Sequence, residues 1–511
     1  MSATRKHLII RGGLVLNADA AHEKPVALDI LIVDDKIAEL APAGEAFSTP
    51  IDPSVPPETL DARDRLIVPG FVNAHYHSYD VLAKGLLEDM PFDVWALHSQ
   101  PSYFGRRSKA ELRMRVLLGA IECLRNGITT VQDMNTLVPQ DEETLDVMLS
   151  AYEEVGIRAV FSIALRDIGA LDIEPFLPKG APPEVLARIR GVDRDPKADL
   201  EFVERQIRRR SDLHGRITWG LSPSGPQRCS RAMLEGVADI GRRYDLPIFT
   251  HVYETRAQTA KARALYKEQG GSMIRWLDEV GLLTPKTTLA HCVWLSPGEM
   301  PLLAERGTSV AHNPISNMKL KSGVAPMRAL SCEGVNISLG CDNSSCGDCQ
   351  NMFQAMKAFC LMAAVAEPQP TRIHASDALR AATIGGAKAL QLHDSIGALR
   401  PGMKADLSII DLTDPAYMPF NNAARQLVFS ESGRGVETAI VDGRIVMRDR
   451  RMTTVNEAAI REELAGIMVA FRRDFDVVAH ANRQATPYLL EANRNVATVD
   501  VGVEAFLRPL G

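Results

Sequence analysis

The fold is decided by residues 66–77, which read Leu-Ile-Val-Pro-Gly-Phe-Val-Asn-Ala-His-Tyr-His. This apolar run contains turn residues and ends in two histidines, His75 and His77. Because side chains alternate across a strand, His75 and His77 point the same way. Two imidazoles that converge at a strand end can supply two metal ligands. A polar strand end without a metal could carry the same short motif, so the rest of the chain must distinguish the two interpretations.

After this stretch the chain alternates between short apolar segments and longer amphipathic ones. Eight candidate strands follow one another between Val68 and Gly340, with helical spacing in the segments between them. Strands that alternate with helices in this way are typical of βαβ units and parallel sheets. The sequence therefore predicts an α/β fold, a (β/α)8 TIM-like barrel.

Both ends of the chain are rich in predicted β structure. Strands and a hairpin are predicted within residues 7–40, and β texture returns after residue 396. We expect the two ends to share one small β-sandwich domain beside the barrel. The predicted domains are the first part of the sandwich at 1–65, the barrel at 66–392, the second part of the sandwich at 393–457, and a C-terminal extension, helical and then irregular, at 458–511.

Composition narrows the class of protein. The chain has 511 residues, 46% of them hydrophobic and 24% charged, with a net charge of −6. This balance gives no electrostatic support for a nucleic-acid partner or an anionic membrane. No apolar run approaches the roughly 20 residues of a membrane span. Eight cysteines in so long a chain predict reduced thiols, and we therefore expect a cytoplasmic location. The expected partner is a small-molecule substrate.

Polar side chains recur where the predicted barrel strands end. A barrel of this kind carries its active site at the carboxyl ends of its strands. The residues at those ends are His75, His77, His251, His291, His312 and Asp342. Each one alone has an ordinary explanation, such as a hydrogen-bonded core histidine or a turn-forming aspartate. Their coincidence at several separate strand ends favours a shared site.

Three histidines and one carboxylate suit a borderline divalent cation such as zinc, with one position left open for water. Coordination would lower the pKa of that water toward neutrality. Asp342 could then be a ligand or accept the proton of the nucleophile. Glu254, three residues after His251, is placed to carry a proton to a leaving nitrogen. His291 could donate to, or orient, the oxygen under attack.

Ordered motifs along most of the chain carry a family resemblance. They lie at residues 69–77, 251–254, 290–292, 312–320, 339–342, 402–407 and 440–443. Together they resemble the metal-dependent amidohydrolase superfamily, in its branch of cytosine/adenosine deaminases and triazine hydrolases (chlorohydrolases). The last two segments are similar to the part of the β domain that this family builds after its barrel.

The resemblance implies one catalytic divalent metal ion, zinc with iron as the alternative, and a homo-oligomer. The implied ligands are His75, His77, His251 and Asp342, with Glu254 as proton shuttle and His291 near the water. The fourth predicted strand, residues 217–221, contains no lysine. A carbamylated lysine that bridges two metals, as in other branches, is therefore not expected.

The chain also departs from the resemblance near the expected substrate pocket. Ser224 stands where nucleoside deaminases of this branch often carry a histidine, and Asn343 follows Asp342 where glycine is more usual. Gln227 and Arg228 could bind a polar or anionic group, although Arg228 could equally be a surface residue. These departures argue against an adenosine-like substrate. The predicted substrate-contacting residues are Trp95, Gln227, Arg228, His312 and Asn343.

The sequence leaves several functions open. The first hypothesis is a hydrolase that uses metal-activated water to cleave a C–N bond of a heterocyclic or aromatic amine. The alternatives are an acyclic amide, urea or carbamate hydrolase, a triazine-type chlorohydrolase, and a non-catalytic binding relative. A further motif, formed by Cys341, Cys346 and Cys349, has the opening spacing of a plant-type [2Fe–2S] site. The competing hypothesis is that these cysteines are small residues that line the pocket.

Overall fold

The computed structural model describes residues 6–17, 24–51, 55–210, 215–366 and 373–506. The first strands are β1 His7–Val15, β2 Val26–Val33, β3 Lys36–Pro42, β4 Glu58–Asp61 and β5 Arg65–Pro69. The central strands are β6 Phe71–His77, β7 Ile128–Asn135, β8 Arg158–Leu165, β9 Ile217–Trp219, β10 Ser222–Pro223, β11 Ile248–Val252, β12 Thr287–His291, β13 Ser309–His312, β14 Ile337–Leu339 and β15 Asp342–Asn343. The last strands are β16 Leu407–Asp411, β17 Val436–Val441, β18 Arg444–Arg448 and β19 Arg451–Met452.

Helices separate the central strands and form the C-terminal segment. They are α1 Phe92–Ser99, α2 Lys109–Arg125, α3 Glu142–Val155, α4 Pro183–Arg190, α5 Pro196–Arg209, α6 Arg231–Tyr244, α7 Arg256–Leu265, α8 Met273–Glu279, α9 Met300–Glu305, α10 Pro314–Lys319, α11 Met327–Cys332, α12 Ser344–Gly347, α13 Met352–Ala366, α14 Ala375–Arg380, α15 Gly386–Ala389, α16 Ala423–Phe429, α17 Glu457–Asn482 and α18 Thr486–Ala497. None of the helices among the described residues has the length and apolar character that a membrane span requires.

The central strands pair in parallel, as the sequence predicts for this region. Six of them form one sheet in the order β10-β8-β7-β6-β15, with β9 on β8, and β11 to β14 form a second sheet in chain order. A single parallel bridge between Leu221 and Ile248 connects the two sheets. This is a TIM-barrel-type α/β fold, and its parallel strands bring their carboxyl ends to the same side.

Strands from both ends of the chain lie in one nine-stranded sheet. Its order is β19-β18-β17-β16-β5-β1-β2-β3, with β4 on β1. The two halves join where β16 pairs antiparallel with β5, from Leu407 opposite Pro69 to Asp411 opposite Arg65. Apolar side chains from both halves share one buried cluster, including Ile67. The prediction that the two ends of the chain share β structure is therefore confirmed.

The stretch at residues 66–77 forms two strands rather than one. β5 belongs to the nine-stranded sheet, and β6, which carries His75 and His77, belongs to the central sheet. Gly70 separates them. A Cβ atom at Gly70 would lie 2.0 Å from Oγ1 of Thr129, so only glycine lets the chain pass so close to β7.

A buried ion pair links the nine-stranded sheet to the central strands. Arg158 begins β8, and its Nε and Nη2 donate to the two carboxylate oxygens of Asp406 at 2.7 and 2.9 Å. Both side chains are almost completely buried. Two parallel N–H···O bonds make this a bidentate pair of the strong kind.

The C-terminal helices pack around α1, which lies beside the candidate site. Phe471 and Phe475 of α17 belong to the same buried cluster as Phe92 and Trp95 of α1. The side-chain amide of Asn482, at the end of α17, donates to the carbonyl of Leu97. The extension is therefore helical over most of its described length and stabilises one wall of the site.

Candidate metal centre and active site

Four potential metal donors converge at the carboxyl ends of three central strands. His75 and His77 end β6, and Asp342 lies on β15, which pairs with β6. The Nε2 atoms of His75 and His77 each lie 3.4 Å from Oδ1 of Asp342. His251 approaches from β11, and its Nε2 lies 3.4 Å from Nε2 of His77. All four side chains are buried.

The second ring nitrogens show how the histidines are oriented. Nδ1 of His77 lies 2.6 Å from the carbonyl oxygen of Met134, and Nδ1 of His251 lies 2.6 Å from that of Ser224. A carbonyl only accepts hydrogen bonds, so each Nδ1 carries a proton, and in the neutral ring Nε2 is left with its lone pair directed at the other donors. Metal-ligating histidines usually have such a partner behind the ring.

The electrostatics of the four donors also fit a cation. Burial lowers the pKa of His75 to about 4, so its ring is neutral near pH 7. Within the described residues its Nε2 makes no hydrogen bond. Burial would raise the pKa of Asp342, but the adjacent imidazoles of His75, His291 and His77 hold that pKa well below its usual range. Neutral imidazoles and an ionised carboxylate are the donor forms that a borderline divalent cation such as zinc requires.

The backbone around Asp342 is constrained. Gly340 lies between β14 and β15, and a Cβ atom there would lie 2.2 Å from Oδ1 of Asn313 and 2.8 Å from Cβ of His75. Asp342 itself has a positive φ of 61°, which is uncommon for a non-glycine residue. The Ser316 hydroxyl donates to Oδ2 of Asp342 at 2.6 Å. These contacts hold the carboxylate against the two histidines of β6.

Glu254 and His291 lie next to the four donors. Oε2 of Glu254 lies 3.9 Å from Nε2 of His291, which in turn lies 4.0 Å from Oδ2 of Asp342. Burial raises the pKa of Glu254 to about 7, and the charge of Asp342 adds to this effect. Nδ1 of His291 lies 2.8 Å from Oδ1 of Asn317, which fixes the ring so that Nε2 faces the cavity.

The cavity in front of these residues contains three of the five predicted substrate contacts. Trp95, Arg228 and Asn343 line it. The indole Nε1 of Trp95 donates to Oγ of Ser345 at 2.8 Å, which fixes the ring as a wall. The guanidinium carbon of Arg228 lies 5.5 Å from the centre of the Phe92 ring, so this arginine is not the surface residue that the sequence also allowed.

Two predicted substrate contacts are not among the residues that line this cavity. Nε2 of Gln227 donates to Oδ2 of Asp172 at 3.0 Å. Its amide therefore bonds to the segment between β8 and α4, and Gln227 is not among the residues that line the cavity. His312 lies beside Phe359 and lines a different cavity. Both residues follow strand ends, but their side chains point elsewhere.

Sequence reasoning missed several residues of the site. Asp172 is fully buried and accepts hydrogen bonds from Gln227 and Arg228, although it lies in a proline-rich segment that resembles a surface loop. Phe92 and Tyr79 line the cavity without any motif of their own. An acidic residue within an apolar context, as in Leu171-Asp172-Ile173, was the available signal for Asp172.

The three cysteines of the possible iron–sulfur motif point in different directions. Sγ of Cys346 lies 3.0 Å from the carbonyl oxygen of Asn343, and Sγ of Cys349 lies 3.1 Å from Oε1 of Gln354. Across the described ranges, the convergent donor groups consist of histidines and Asp342 and include no cysteine. Cys341 and Cys346 are buried, but among the described residues none of the three cysteines lines the cavity, so the competing hypothesis that they line the pocket is not supported either.

Comparison with known proteins assigns the family. A family model described as the amidohydrolase family matches residues 66–446, which include every donor described above. The chain belongs to the amidohydrolase family. It is therefore a metal-dependent hydrolase that acts on C–N bonds other than peptide bonds, which confirms the activity predicted from the strand-end residues.

Relatives within the amidohydrolase family match over nearly the whole chain. A 5'-deoxyadenosine deaminase of Methanothermobacter thermautotrophicus is 34% identical over 460 residues, which cover 89% of this chain and 96% of the relative. A 5-methylthioadenosine/S-adenosylhomocysteine deaminase of Pyrococcus furiosus is 31% identical and covers 90% of this chain and 100% of the relative.

Solved structures confirm the fold. An adenosine deaminase from Xanthomonas campestris with bound zinc superposes with a TM-score of 0.78 at 26% identity, covering 93% of this chain and 98% of that one. A triazine hydrolase from Arthrobacter aurescens has a TM-score of 0.77 at 23% identity, covering 91% of this chain and 99% of that one. At that identity the second likeness concerns the fold alone.

Proposed function

We propose that this protein is an aminohydrolase that releases ammonia from an amino-substituted heterocycle. The observation that supports it is Glu254, a buried carboxyl group beside His291 and the four converging donors. In the reaction the oxygen of water bonds to the ring carbon that carries the amine, and the C–N bond breaks. The nitrogen can leave as ammonia only if it gains a proton, which a carboxyl group at this position can supply.

We infer a single divalent cation at this site, zinc with iron as the alternative. His75, His77, His251 and Asp342 would hold it, because their donor atoms converge and their protonation states suit a cation. Such a cation, when bound, makes a water molecule acidic enough to act as a nucleophile near neutral pH.

The side chains around the donors then have separate roles. Asp342 accepts the proton of the attacking water on its carboxylate, while Ser316 keeps that carboxylate in place. Glu254 gives a proton to the leaving nitrogen. His291, held by Asn317, orients the oxygen that attacks the ring. Two carboxyl groups with different pKa values can thus accept and donate protons in the same turnover.

Two sets of observations bear on the substrate. Relatives with about a third of their residues identical are named as deaminases of 5'-deoxyadenosine and 5-methylthioadenosine, so adenosine-type amines are candidates for this chain. The cavity is nevertheless lined by Ser224, Arg228 and Asn343. Ser224 and Asn343 are positions at which the sequence departs from the nucleoside deaminases that it resembles. The flat walls formed by Phe92 and Trp95 suit a planar ring in either case.

The proposal is tested by product analysis with zinc-loaded protein. A panel of 5'-deoxyadenosine, adenine, guanine, cytosine and 2-amino-4-oxopteridine is incubated beside acyclic amides, ureas, carbamates and chlorotriazines. The proposal expects ammonia from at least one aminated heterocycle. Free amine or chloride as the sole product would instead assign the protein to amide, urea or carbamate hydrolysis, or to dehalogenation. No turnover of any class would favour the non-catalytic hypothesis.

We also propose the finer architecture that the sequence predicted. The bridge at Leu221 and the pairing of β15 with β6 support a closed eight-stranded barrel over residues 66–392. The nine-stranded sheet supports a single small β domain of sandwich type, built from residues 1–65 and 393–457. A C-terminal extension at 458–511 that is helical and then irregular, a cytoplasmic location and a homo-oligomeric state complete the proposal. Size-exclusion chromatography with light scattering would test the last of these.

A further inference from the structure

Arg228 lines the cavity and shares its carboxylate partner, Asp172, with a second cation. Nε and Nη2 of Arg228 donate to Oδ2 of Asp172 at 3.0 and 2.6 Å. Nζ of Lys261 lies 3.3 Å from Oδ1 of the same carboxylate. Asp172 therefore compensates two cations at once. In the described part of the chain, Nη1 of Arg228 makes no hydrogen bond, although Arg228 lines the cavity.

A third cation, Arg166, lies directly after β8. Ala164 lines the cavity, and Leu165 is buried in the main hydrophobic core. The backbone on both sides of Arg166 is bonded to the edge of the cavity: the carbonyl of Leu165 accepts from the N–H of Ser224 at 2.7 Å, and the N–H of Ile168 donates to the carbonyl of Arg228 at 3.1 Å. Its side chain is partly buried. Within the described ranges it makes no hydrogen bond and no ion pair.

The surroundings of Arg166 make an anion favourable there. Burial and the positive charge of Arg228 both lower the pKa of Arg166, so a negative charge bound beside it would be stabilising. Asp93, Glu254 and Asp342 are further carboxyl groups of this region; burial raises the pKa of Asp93 and of Glu254 to about 7, and Asp342 lies against the histidines rather than against Arg166. An incompletely compensated guanidinium in a partly buried position destabilises the protein unless a ligand supplies negative charge.

We propose that Arg166 and Arg228 bind a carboxylate group of the substrate. This inference rests on the proposed function, because it concerns the same cavity and the same reaction. Guanidinium groups match the planar geometry of a carboxylate and bind it through paired hydrogen bonds. Phe92 lies under Arg228 and Trp95 forms a wall beside it, so the group that carries the carboxylate is a flat ring. The predicted substrate class is an aminated heterocycle with a carboxylate substituent.

Paired ligands that differ only in charge test this inference without turnover. Nicotinate and nicotinamide have the same planar ring, and only nicotinate carries a carboxylate. Their binding to the zinc-loaded protein is measured by isothermal titration calorimetry. We expect nicotinate to bind about tenfold more tightly than nicotinamide, the effect of one charged hydrogen bond.

Variants then locate the carboxylate. Arg166→Met is the main variant, because it removes no hydrogen bond or ion pair within the described residues and should fold normally. We expect it to abolish the preference for nicotinate while leaving nicotinamide binding unchanged. Arg228→Met is the second variant and should have the same effect. Arg190→Met is the matched control. Arg190 lies in the same segment between β8 and β9, but it is 60% exposed and pairs with Glu174.

The outcomes separate this inference from the proposed function. Equal binding of the two ligands, or a preference for nicotinate that survives both Arg166→Met and Arg228→Met, would overturn the carboxylate site. Release of ammonia from a carboxylated heterocycle at full rate and unchanged KM in both variants would overturn it as well. A preference that depends on Arg166, in a protein that releases no ammonia from any compound, would support the carboxylate site and contradict the proposed reaction.

Discussion

Oε2 of Glu254 lies 3.9 Å from Nε2 of His291, and both side chains are almost completely buried. The pair sits against Asp342, whose Oδ2 lies 4.0 Å from the same nitrogen. Removal from water favours the neutral form of a carboxyl group, so Glu254 keeps its proton to higher pH than an exposed glutamate. A proton donor is thus held beside the converging metal donors near neutral pH.

The first prediction concerns Glu254 directly. Glu254→Gln preserves the size of the side chain but removes the transferable proton. We expect kcat for ammonia release to fall by about 10²- to 10⁴-fold, the usual contribution of a positioned general acid. Zinc content, measured by plasma emission spectrometry, should not change. Glu305→Gln, at a position that is 67% exposed, is the control and should retain full activity. Wild-type turnover in a zinc-loaded Glu254→Gln protein would rule out the role of Glu254 as proton donor.

The pKa of Glu254 also predicts a pH dependence. The group is protonated below a pKa of about 7 and loses its proton as the pH rises through that value. Because a bound cation favours the ionised form, the zinc-loaded enzyme should lose activity with a midpoint at or below about 7. The measurement is kcat/KM between pH 5 and 10. A constant kcat/KM from pH 6 to 9 would contradict this prediction.

The metal donors can be tested against a matched histidine. His251→Gln removes a converging donor, and we expect it to lower zinc affinity by at least 10-fold. His312→Gln is the control, because His312 is also a buried histidine at the end of a central strand but lines another cavity. Zinc content after dialysis against a weak chelator distinguishes the two variants. Equal zinc retention in both would show that His251 is not a ligand.

The buried pair between Arg158 and Asp406 predicts a large effect on stability. Asp406→Ala leaves the guanidinium of Arg158 buried without its main partner, which destabilises a protein by about 3–5 kcal/mol. Urea unfolding of the metal-free protein measures the change in free energy of unfolding. The control is Asp61→Ala, since Asp61 and Arg63 form an exposed pair. If the two variants unfolded at the same urea concentration, the pair would not stabilise the junction between the sheets.

Local motifs explain why the convergence of the four potential metal donors could be predicted from the sequence. His75, His77, His251 and Asp342 each follow an apolar run, and the parallel arrangement of those runs brings their ends together. Alternation within β6 also orients His75 and His77 correctly. For these residues a position at the end of a strand predicts a position in the site, because the carboxyl ends of parallel barrel strands lie on the same side of the fold.

Side chains that depend on tertiary packing could not be predicted. Gln227 and His312 follow strands, but one bonds to Asp172 and the other packs beside Phe359. The direction of a side chain after a strand end is set by neighbours that are distant in sequence. The division of the opening stretch at Gly70 has the same origin, since it depends on close approach to β7.

The central claim, hydrolytic release of ammonia, is tested most directly by turnover in ¹⁸O-labelled water. Zinc-loaded protein is incubated with the most reactive heterocycle of the panel, and ammonia and the labelled product are quantified together. We expect one ammonia for each ¹⁸O atom in the ring product, and loss of both when the zinc is removed. Ammonia without ¹⁸O in the product, or a labelled product that forms with release of chloride instead of ammonia, would contradict it.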